Sequence, residues 1–245
     1  MNHRARDLER YSEEYSKLPF EITQARYRRR EVLCQIERHS PKKVLEIGCG
    51  LNPLFIDFSD DKKFVVVEPT RKFYELAMLH ADGNSNVEVI NEYFEDFEPQ
   101  TSFDLIIVSC LLHEVPDQKL FLRKLASICH KGTLVHINVP SSESLHRRLA
   151  VAMELINNIT DASEIQKIMQ QGATVFSRES LENLLFEFGF KVVESGGIFL
   201  KPFTHGQMQN LVDAEIITEE VLDGLFILGR ERPEIASEIW VNVSL

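Results

Sequence analysis

The chain has 245 residues, of which 44% are hydrophobic and 27% are charged, so it is long and apolar enough to bury one full core as a single domain. Its formal net charge of −11 argues against a nucleic-acid partner, because nucleic-acid binding rests on clustered Lys and Arg that neutralise phosphates. The cysteines form no CxxC pair, the amino terminus is too polar for a signal peptide and no apolar run has membrane-spanning length, so we expect a cytoplasmic protein without a metal site, disulfide framework or membrane partner.

The first predicted element is a helix from about Asp7 to His39. Val32, Leu33 and Ile36 are spaced so that one face of this helix covers a core. Tyr15 lies on the same helix, where aromatic side chains are usually packing residues. Both packing and ligand contact therefore stay open for Tyr15.

The stretch from Val44 to Pro53 is an apolar run that ends in two glycines one residue apart. It predicts a buried strand and a tight turn, because Gly48 and Gly50 tolerate positive φ and let a ligand approach the backbone. A second buried strand, 63–67, ends at Glu68, roughly 20 residues after the first glycine, where nucleotide-binding sheets place a ribose-binding carboxylate. A dinucleotide fingerprint would have a third glycine where Pro53 stands, so the nicotinamide signature is incomplete.

Strand and helix patterns alternate along the rest of the chain. We expect strands at 87–90, 103–110, 134–139, 190–194 and 238–243, and helices at 71–81, 118–129, 177–188 and 205–234. Gly132 is the expected cap of the helix at 118–129, and Ser177 is the expected N-cap of the helix at 177–188. Gly196-Gly197 is expected to break the strand at 190–194. The last strand alternates as an edge strand would. This rhythm predicts an α/β fold that binds its ligand beyond the carboxyl ends of the strands.

Several motifs resemble class I S-adenosylmethionine-dependent methyltransferases, in particular the bacterial branch that acts on sugars and other small metabolites. The pattern Glu46-x-Gly48-Cys49-Gly50 with Glu68 resembles the first two motifs of that family. The segments 140–149 and 196–203 resemble later signatures of the bacterial branch. Between them, this chain has Ala173 at a position where that branch often has histidine.

The resemblance implies a Rossmann-like, seven-stranded, mostly parallel sheet with an antiparallel last strand and helices on both faces. It also implies a helical lid at 1–40, a cofactor-binding half at 41–142, helical cap insertions at 143–176 and 204–235, and a carboxyl-terminal sheet half at 177–203 and 236–245. S-Adenosyl-L-methionine is the implied cofactor and S-adenosyl-L-homocysteine the implied product. The implied cofactor-binding residues are Glu46, Gly48, Cys49, Gly50, Pro53, Glu68, Pro69, Glu92, Tyr93, Phe94, Ser109 and Cys110.

The candidate catalytic residues are His113, Glu114 and His146. Histidine is the natural base near neutral pH, and His113 is predicted to follow the strand whose carboxyl end points at the site. Candidate contacts to the acceptor are Tyr15, Arg147, Lys201 and His205, which have surface solvation or packing as the alternative role.

The sequence therefore predicts methyl transfer to an oxygen or nitrogen of a small, anionic or sugar-linked metabolite by a monomer or homodimer. Two alternatives stay open. A nicotinamide oxidoreductase would share the sheet, and an inactive partner subunit would share the cofactor pocket.

Overall fold

The computed structural model describes residues 7–15, 17–58, 62–161 and 174–245. The strands are β1 (Lys43–Ile47), β2 (Lys63–Val67), β3 (Val87–Ile90), β4 (Leu105–Ser109), β5 (Leu134–Pro140), β6 (Lys191–Ile198) and β7 (Glu238–Ser244). The α-helices of this part of the chain are α1 (Leu8–Tyr15), α2 (Glu21–His39), α3 (Arg71–Ala81), α4 (Gln118–Ile128), α5 (Leu145–Ala152), α6 (Arg178–Phe186), α7 (His205–Asp213) and α8 (Glu219–Glu231). Short 3-10 helices cover Leu54–Asp57 and Pro233–Ile235.

The strands form one seven-stranded sheet in the order β3-β2-β1-β4-β5-β7-β6. The first five strands pair in parallel, and β7 runs antiparallel to both β5 and β6. The predicted Rossmann-like sheet with a reversed last strand is thereby confirmed, including the position of β4 beside the glycine strand β1.

Two hydrophobic clusters cover the parallel part of the sheet. Leu45, Ile106 and Val108 belong to one cluster, whereas Val44 and Ile107 belong to the other, as expected for neighbouring strand residues that point to opposite faces. Parallel strands buried on both faces read as nearly continuous apolar runs, which is why the sequence showed β1, β2 and β4 clearly. A third cluster lies at the β6–β7 side, where α2, α7 and α8 pack.

The last strand is interior, so the expectation of an edge strand was wrong. β7 lies between β5 and β6 and is buried at every position except its last. The polar residues Glu238 and Asn242 produce the alternating pattern. Both are buried with a partner: Arg28 donates to Glu238, and His136 bonds the side chain of Asn242 at 2.8 Å. Polarity along a strand does not imply solvent when another buried group satisfies it.

Gly196 and Gly197 continue β6, which contradicts the expected break. A Cβ atom on Gly196 would lie 2.6 Å from the Trp240 ring, and one on Gly197 would lie 2.5 Å from the carbonyl oxygen of Gly229. Close packing of β7 and α8, and not a turn, therefore requires glycine at these two positions.

Two predicted helix boundaries change and one is confirmed. The expected amino-terminal helix is two helices, interrupted before Phe20, which has φ of 60°. Helix α4 ends at Ile128, so Gly132, with φ of 104°, belongs to the following turn instead of capping the helix. Ser177 is confirmed as an N-cap, since its hydroxyl accepts from the backbone N–H of Ser180.

Part of the predicted cap insertion, including Ala173, lies outside the described residues. None of the described helices is both long and apolar enough to cross a membrane.

Candidate active site

A cavity of about 1080 Å³ opens at the carboxyl ends of β1, β2 and β4. Its wall continues onto α2, α5 and the segment that joins β6 to α7. Open α/β sheets bind ligands at this end of the strands, and the volume lies at the upper end of the range for small-molecule sites, about 300–1,000 Å³. The cavity is therefore large enough for a nucleoside cofactor together with an acceptor.

The turn after β1 offers its backbone to this cavity. Gly48 and Gly50 have φ of 75° and 56°, in the left-handed region that favours glycine. A Cβ atom on Gly50 would meet nothing within 4 Å, so the space beside that residue is open to a ligand. This open space is a structural reason to expect a ligand that lies against the backbone.

Glu68 joins the end of β2 to the glycine turn. Its Oε2 accepts from the backbone N–H groups of Cys49 at 3.0 Å and Gly50 at 3.3 Å, and its Oε1 accepts from Thr70 at 2.8 Å. Burial raises the pKa of this carboxyl. The thiol of Cys49 also approaches Oε2, at 3.8 Å, so the carboxylate is held through both of its oxygens, by the glycine turn and by Thr70. The donor and acceptor groups at this wall fit the ribose half of a nucleoside.

Glu46 lies deeper in the same wall. Its Oε2 accepts from the backbone N–H of Leu54 at 2.9 Å, which holds the start of the first 3-10 helix. Burial raises the pKa of Glu46 to about 8 from its ordinary value of 4.5. Burial therefore favours the protonated form of this carboxyl.

Two of the expected cofactor residues do not line the cavity. Glu92 is exposed, whereas Tyr93, Phe94 and Glu95 line the cavity wall. The chain turns after β3, where the backbone N–H of Asp96 donates to the carbonyl of Tyr93. Pro53 is buried beside the cavity, and its carbonyl oxygen accepts from Arg29 at 2.8 Å. The other expected cofactor residues lie on the cavity wall: Glu46, Gly48, Cys49, Gly50, Glu68, Pro69, Tyr93, Phe94, Ser109 and Cys110.

His113 and Glu114 are buried at the cavity wall just beyond β4. Atoms Nε2 of His113 and Oε1 of Glu114 are 3.7 Å apart, close enough for electrostatic attraction but longer than a hydrogen bond. The backbone N–H of Glu114 donates to the carbonyl of Leu111 at 2.8 Å, so a tight turn brings both side chains to the site.

A buried ion-pair cluster forms the opposite wall, between α2 and β7. Arg28 donates to Glu238 at 2.8 to 3.1 Å and to Glu21 at 3.2 Å, while the hydroxyl of Tyr15 donates to Glu21 at 3.1 Å. Burial opposes ionisation of Glu21, but the charge of Arg28 and a hydrogen bond from His205 lower the pKa of Glu21 to about 2. The sequence pointed to Tyr15 as a candidate contact to the acceptor, and it missed Glu238. An acidic residue within an apolar strand was the available signal.

Lys201 and His205 adjoin this cluster. The Nζ of Lys201 is 2.8 Å from Nδ1 of His205, and Nε2 of His205 is 3.4 Å from Oε2 of Glu21. Burial lowers the pKa of Lys201 from 10.5 to about 7. His146 lines the same wall, and burial together with the charge of Lys201 lowers the pKa of its imidazole.

Arg147, a candidate contact to the acceptor, uses two of its donors within the protein. Its Nε and one terminal nitrogen donate to the carbonyl oxygens of Ile159 and Asp161, so two of its donors hold the loop after α5. It lines the cavity, but the planar fork is directed at this loop.

Sequence comparison finds that a family described as a methyltransferase domain matches residues 22–195. A trans-aconitate 2-methyltransferase of Rhodococcus jostii (strain RHA1) is 22% identical over 46% of this chain and 43% of its own length. A ubiquinone biosynthesis O-methyltransferase of Bradyrhizobium sp. (strain ORS 278) is 23% identical over 66% of this chain and 63% of its own length. The chain thus spans less than two thirds of either curated relative.

Structure comparison finds the same fold in solved proteins. The plantazolicin methyltransferase BamL, in complex with a substrate analogue and S-adenosyl-L-homocysteine, aligns with a TM-score of 0.59 at 13% identity, over 96% of this chain and 95% of BamL. The N-methyltransferase NodS of Bradyrhizobium japonicum WM9, in complex with S-adenosyl-L-homocysteine, aligns with a TM-score of 0.52 at 13% identity, over 87% and 85% of the two chains. The [4+2]-cyclase SpnF aligns with a TM-score of 0.57 at 13% identity, over 88% and 79%.

Proposed function

Because the chain belongs to the methyltransferase-domain family, we propose that it transfers a methyl group from S-adenosyl-L-methionine to an oxygen or nitrogen atom of a small molecule. The observation that carries this proposal is one cavity in which the open glycine turn and Glu68 lie on one wall and a cluster of ionisable side chains lies on another. When bound, the cofactor supplies an electrophilic methyl group on a positively charged sulfur. The protein then has to position the acceptor, exclude water and remove a proton.

The glycine turn and Glu68 are the proposed holders of the cofactor. The backbone beside Gly50 accommodates the close approach of a ligand, and Glu68 accepts hydrogen bonds from ribose hydroxyls. Tyr93 to Glu95 form the wall at the end of β3, where we place the adenine.

His113 is the proposed base for the proton of the acceptor. Its burial at the cavity wall, in the turn that follows β4, supports this role, since a precise site needs side chains that packing holds in place. Glu114 is the proposed orienting carboxylate, and His146 the proposed contact to the acceptor.

The proposed acceptor is a small, anionic or sugar-linked metabolite. The basic groups on the far wall and the net charge of −11 support a small molecule over nucleic acid. The name of the Rhodococcus relative states an acidic substrate for that protein, which agrees with this choice. Methylation assays against panels of sugars and organic acids test the proposal, and methylation of RNA or DNA with no turnover of small acceptors would contradict it.

A protein that binds the cofactor without transferring its methyl group is the second candidate. The structural likeness to SpnF, described as a [4+2]-cyclase, supports this second candidate, because this fold does not by itself imply methyl transfer. The family match leaves the nicotinamide oxidoreductase without support. Cytoplasmic location and a monomeric or homodimeric state complete the proposal, and light scattering checks the latter.

Calorimetry with S-adenosyl-L-methionine tests the cofactor site. Replacing Glu68 by Ala removes a charged acceptor, so we expect the affinity to fall by about 1.5–3 kcal/mol, roughly 10- to 100-fold. The matched control is Glu92→Ala, which removes an exposed carboxylate outside the cavity and should leave binding unchanged. Unchanged affinity in a folded Glu68→Ala variant would refute the placement.

A further inference from the structure

Lys201 is a buried amine whose hydrogen-bond partner among the described residues is an imidazole and not a carboxylate. Its Nζ is 2.8 Å from Nδ1 of His205. The other ring nitrogen of His205 is 3.4 Å from Glu21, so a neutral imidazole that directs its N–H at Glu21 leaves Nδ1 as the acceptor for Lys201. Burial lowers the pKa of His205, which favours this neutral form.

The charges around Lys201 come from four elements. Glu21 and Arg28 face it from α2, Glu238 from β7, His146 and Arg147 from α5, and His205 from α7. Within this set, Arg28 is paired with both Glu21 and Glu238, so two carboxylates share one guanidinium. Arg147 is directed at the loop of Asp161, whose charge also acts on it. Arg28 is thus the guanidinium that pairs directly with these two carboxylates, while the charge of Arg147 acts on Lys201 in the same direction as that of Arg28.

A positive charge on Lys201 would lie beside two carboxylates but would have to be buried. Desolvation disfavours the ammonium form most, Glu21 and Glu238 favour it, and Arg28 and Arg147 oppose it, so that the pKa of Lys201 falls to about 7. A group balanced in this way responds to any further charge that enters the same cavity. The cofactor of the proposed function carries such a charge on its sulfur, and the product does not.

We propose that Lys201 is a charge-compensating residue, uncharged while S-adenosyl-L-methionine occupies the cavity and protonated while S-adenosyl-L-homocysteine does. This inference rests on the proposed function. The cavity then holds the same total charge before and after methyl transfer, because the positive charge that disappears from sulfur reappears on Nζ between Glu21 and Glu238.

The proton comes from the acceptor. An O–H or N–H bond of the acceptor breaks, its electron pair forms the new bond to the methyl carbon, the pair of the old S–C bond stays with sulfur, and the proton adds to the lone pair of Nζ. Lys201 holds the proton at the end of the transfer, whichever residue of the cavity wall removes it first. The inferred acceptor group is thus one that loses a proton on methylation.

Nuclear magnetic resonance of protein with isotope-labelled lysine tests this directly and needs no acceptor. The signal of Lys201 is identified by its loss in Lys201→Met and is titrated in each of the two complexes. A unit charge elsewhere in the same cavity, at an effective dielectric constant of about 20, shifts a titration by on the order of one pH unit, so we expect the midpoint to lie higher by about that amount with S-adenosyl-L-homocysteine. Lys43, whose Nζ donates to Thr101 at the opposite end of β1, is the internal control and should titrate identically in both complexes.

A second variant tests the electrostatic balance. Glu21→Gln removes one of the two carboxylates that favour the ammonium, so the midpoint of Lys201 should fall in both complexes. Equal midpoints in the two wild-type complexes, or a rise in Glu21→Gln, would overturn the inference. Failure of either compound to bind, seen by calorimetry, would instead remove the proposed function and the inference with it.

Discussion

At the scale of single residues, two histidines compete for the role of base. His113 is fully buried next to Glu114 at a strand end, whereas His146 lies on α5 beside Lys201 and Arg147. The buried Nδ1 of His146 has no hydrogen-bond partner in the described part of the chain. That atom is therefore available to a ligand, which agrees with a contact to the acceptor.

Turnover of the identified acceptor separates the two histidines. General-base assistance typically contributes about 10²–10⁴-fold, so His113→Gln should lower kcat by that order, with cofactor affinity nearly unchanged. His146→Gln should chiefly raise KM, because it removes a contact. Near-normal turnover for His113→Gln together with collapse for His146→Gln would reverse the assignment.

The buried carboxyl of Glu46 makes the stability of the folded protein depend on pH. Its pKa of about 8 in the folded protein lies above the ordinary 4.5, so between these values the folded state holds a proton that the unfolded state has lost. Burial of this carboxyl therefore makes folding less favourable as pH rises through that window.

Unfolding in urea at several pH values checks this sign. The contribution of Glu46 to the free energy of unfolding should fall with pH, by at most about 1.4 kcal/mol per unit, between about pH 4.5 and 8. In Glu46→Gln this decline is absent, so the variant should gain stability relative to the wild type as pH rises. Parallel pH profiles would show that Glu46 is ionised in the folded protein.

At the scale of elements, the packing of α8 on β6 determines where Lys201 lies. A Cβ atom on Gly229 of α8 would be 2.3 Å from the backbone nitrogen of Phe199, and the backbone N–H of Leu200 donates to the carbonyl of Leu225 at 2.8 Å. Helix α8 and the chain just after β6 thus meet through their backbones, at the two residues that precede Lys201.

Two glycines of α8 form a matched pair for testing this contact. Gly229→Ala must displace the backbone of Phe199, so we expect it to destabilise the protein by about 1–3 kcal/mol or more. Gly224→Ala, where a Cβ atom meets nothing within 4 Å, should instead stabilise it by about 0.5–1 kcal/mol through helix propensity. Denaturant unfolding measures both, and equal effects of the two substitutions would contradict the close approach.

At the scale of the whole molecule, α2 is joined to the far side of the sheet by buried polar groups. Gln24 and Asn138 donate to Glu238 at 2.9 and 3.0 Å, and Arg28 donates to the same carboxylate. Helix α2, β5 and β7 are therefore held together at the carboxylate of Glu238, which lines the cavity. Such a network stabilises a specific arrangement only while every member is present.

Removal of one member of this network should be more harmful than removal of two. Arg28→Met leaves Glu238 and Glu21 buried without their guanidinium, which typically costs about 3–5 kcal/mol. Adding Glu238→Gln removes one of these charges, so the double variant should recover part of the loss. Chemical unfolding of the single and double variants measures the interaction, and strictly additive losses would argue against the network.

The sequence by itself determined the sheet and its ligand-binding end. Unbroken apolar runs mark β1, β2 and β4 because parallel strands are buried on both faces, and the positions of Gly48, Gly50 and Glu68 relative to those strand ends are local properties of the chain. Most residues of the cofactor wall were predictable for that reason. Glu92 and Pro53 do not line the cavity, because the direction of a side chain in a turn depends on backbone geometry that residue types do not specify.

The cluster of ionisable side chains on the far side of the cavity, by contrast, is assembled by the tertiary fold. Glu21, Arg28, Lys201, His205 and Glu238 come from positions up to 217 residues apart, as the ends of that set show, and meet because α2 crosses the ends of β6 and β7. The residue type alone suggests an exposed, charged lysine at position 201, whereas burial in the fold lowers the pKa of its amine to about 7. The same dependence explains the strand β7, whose alternating pattern indicated solvent until its polar residues were seen to bond Arg28 and His136 inside the fold. Partners distant in sequence decide such cases, because the free energy of a buried polar group depends on what surrounds it.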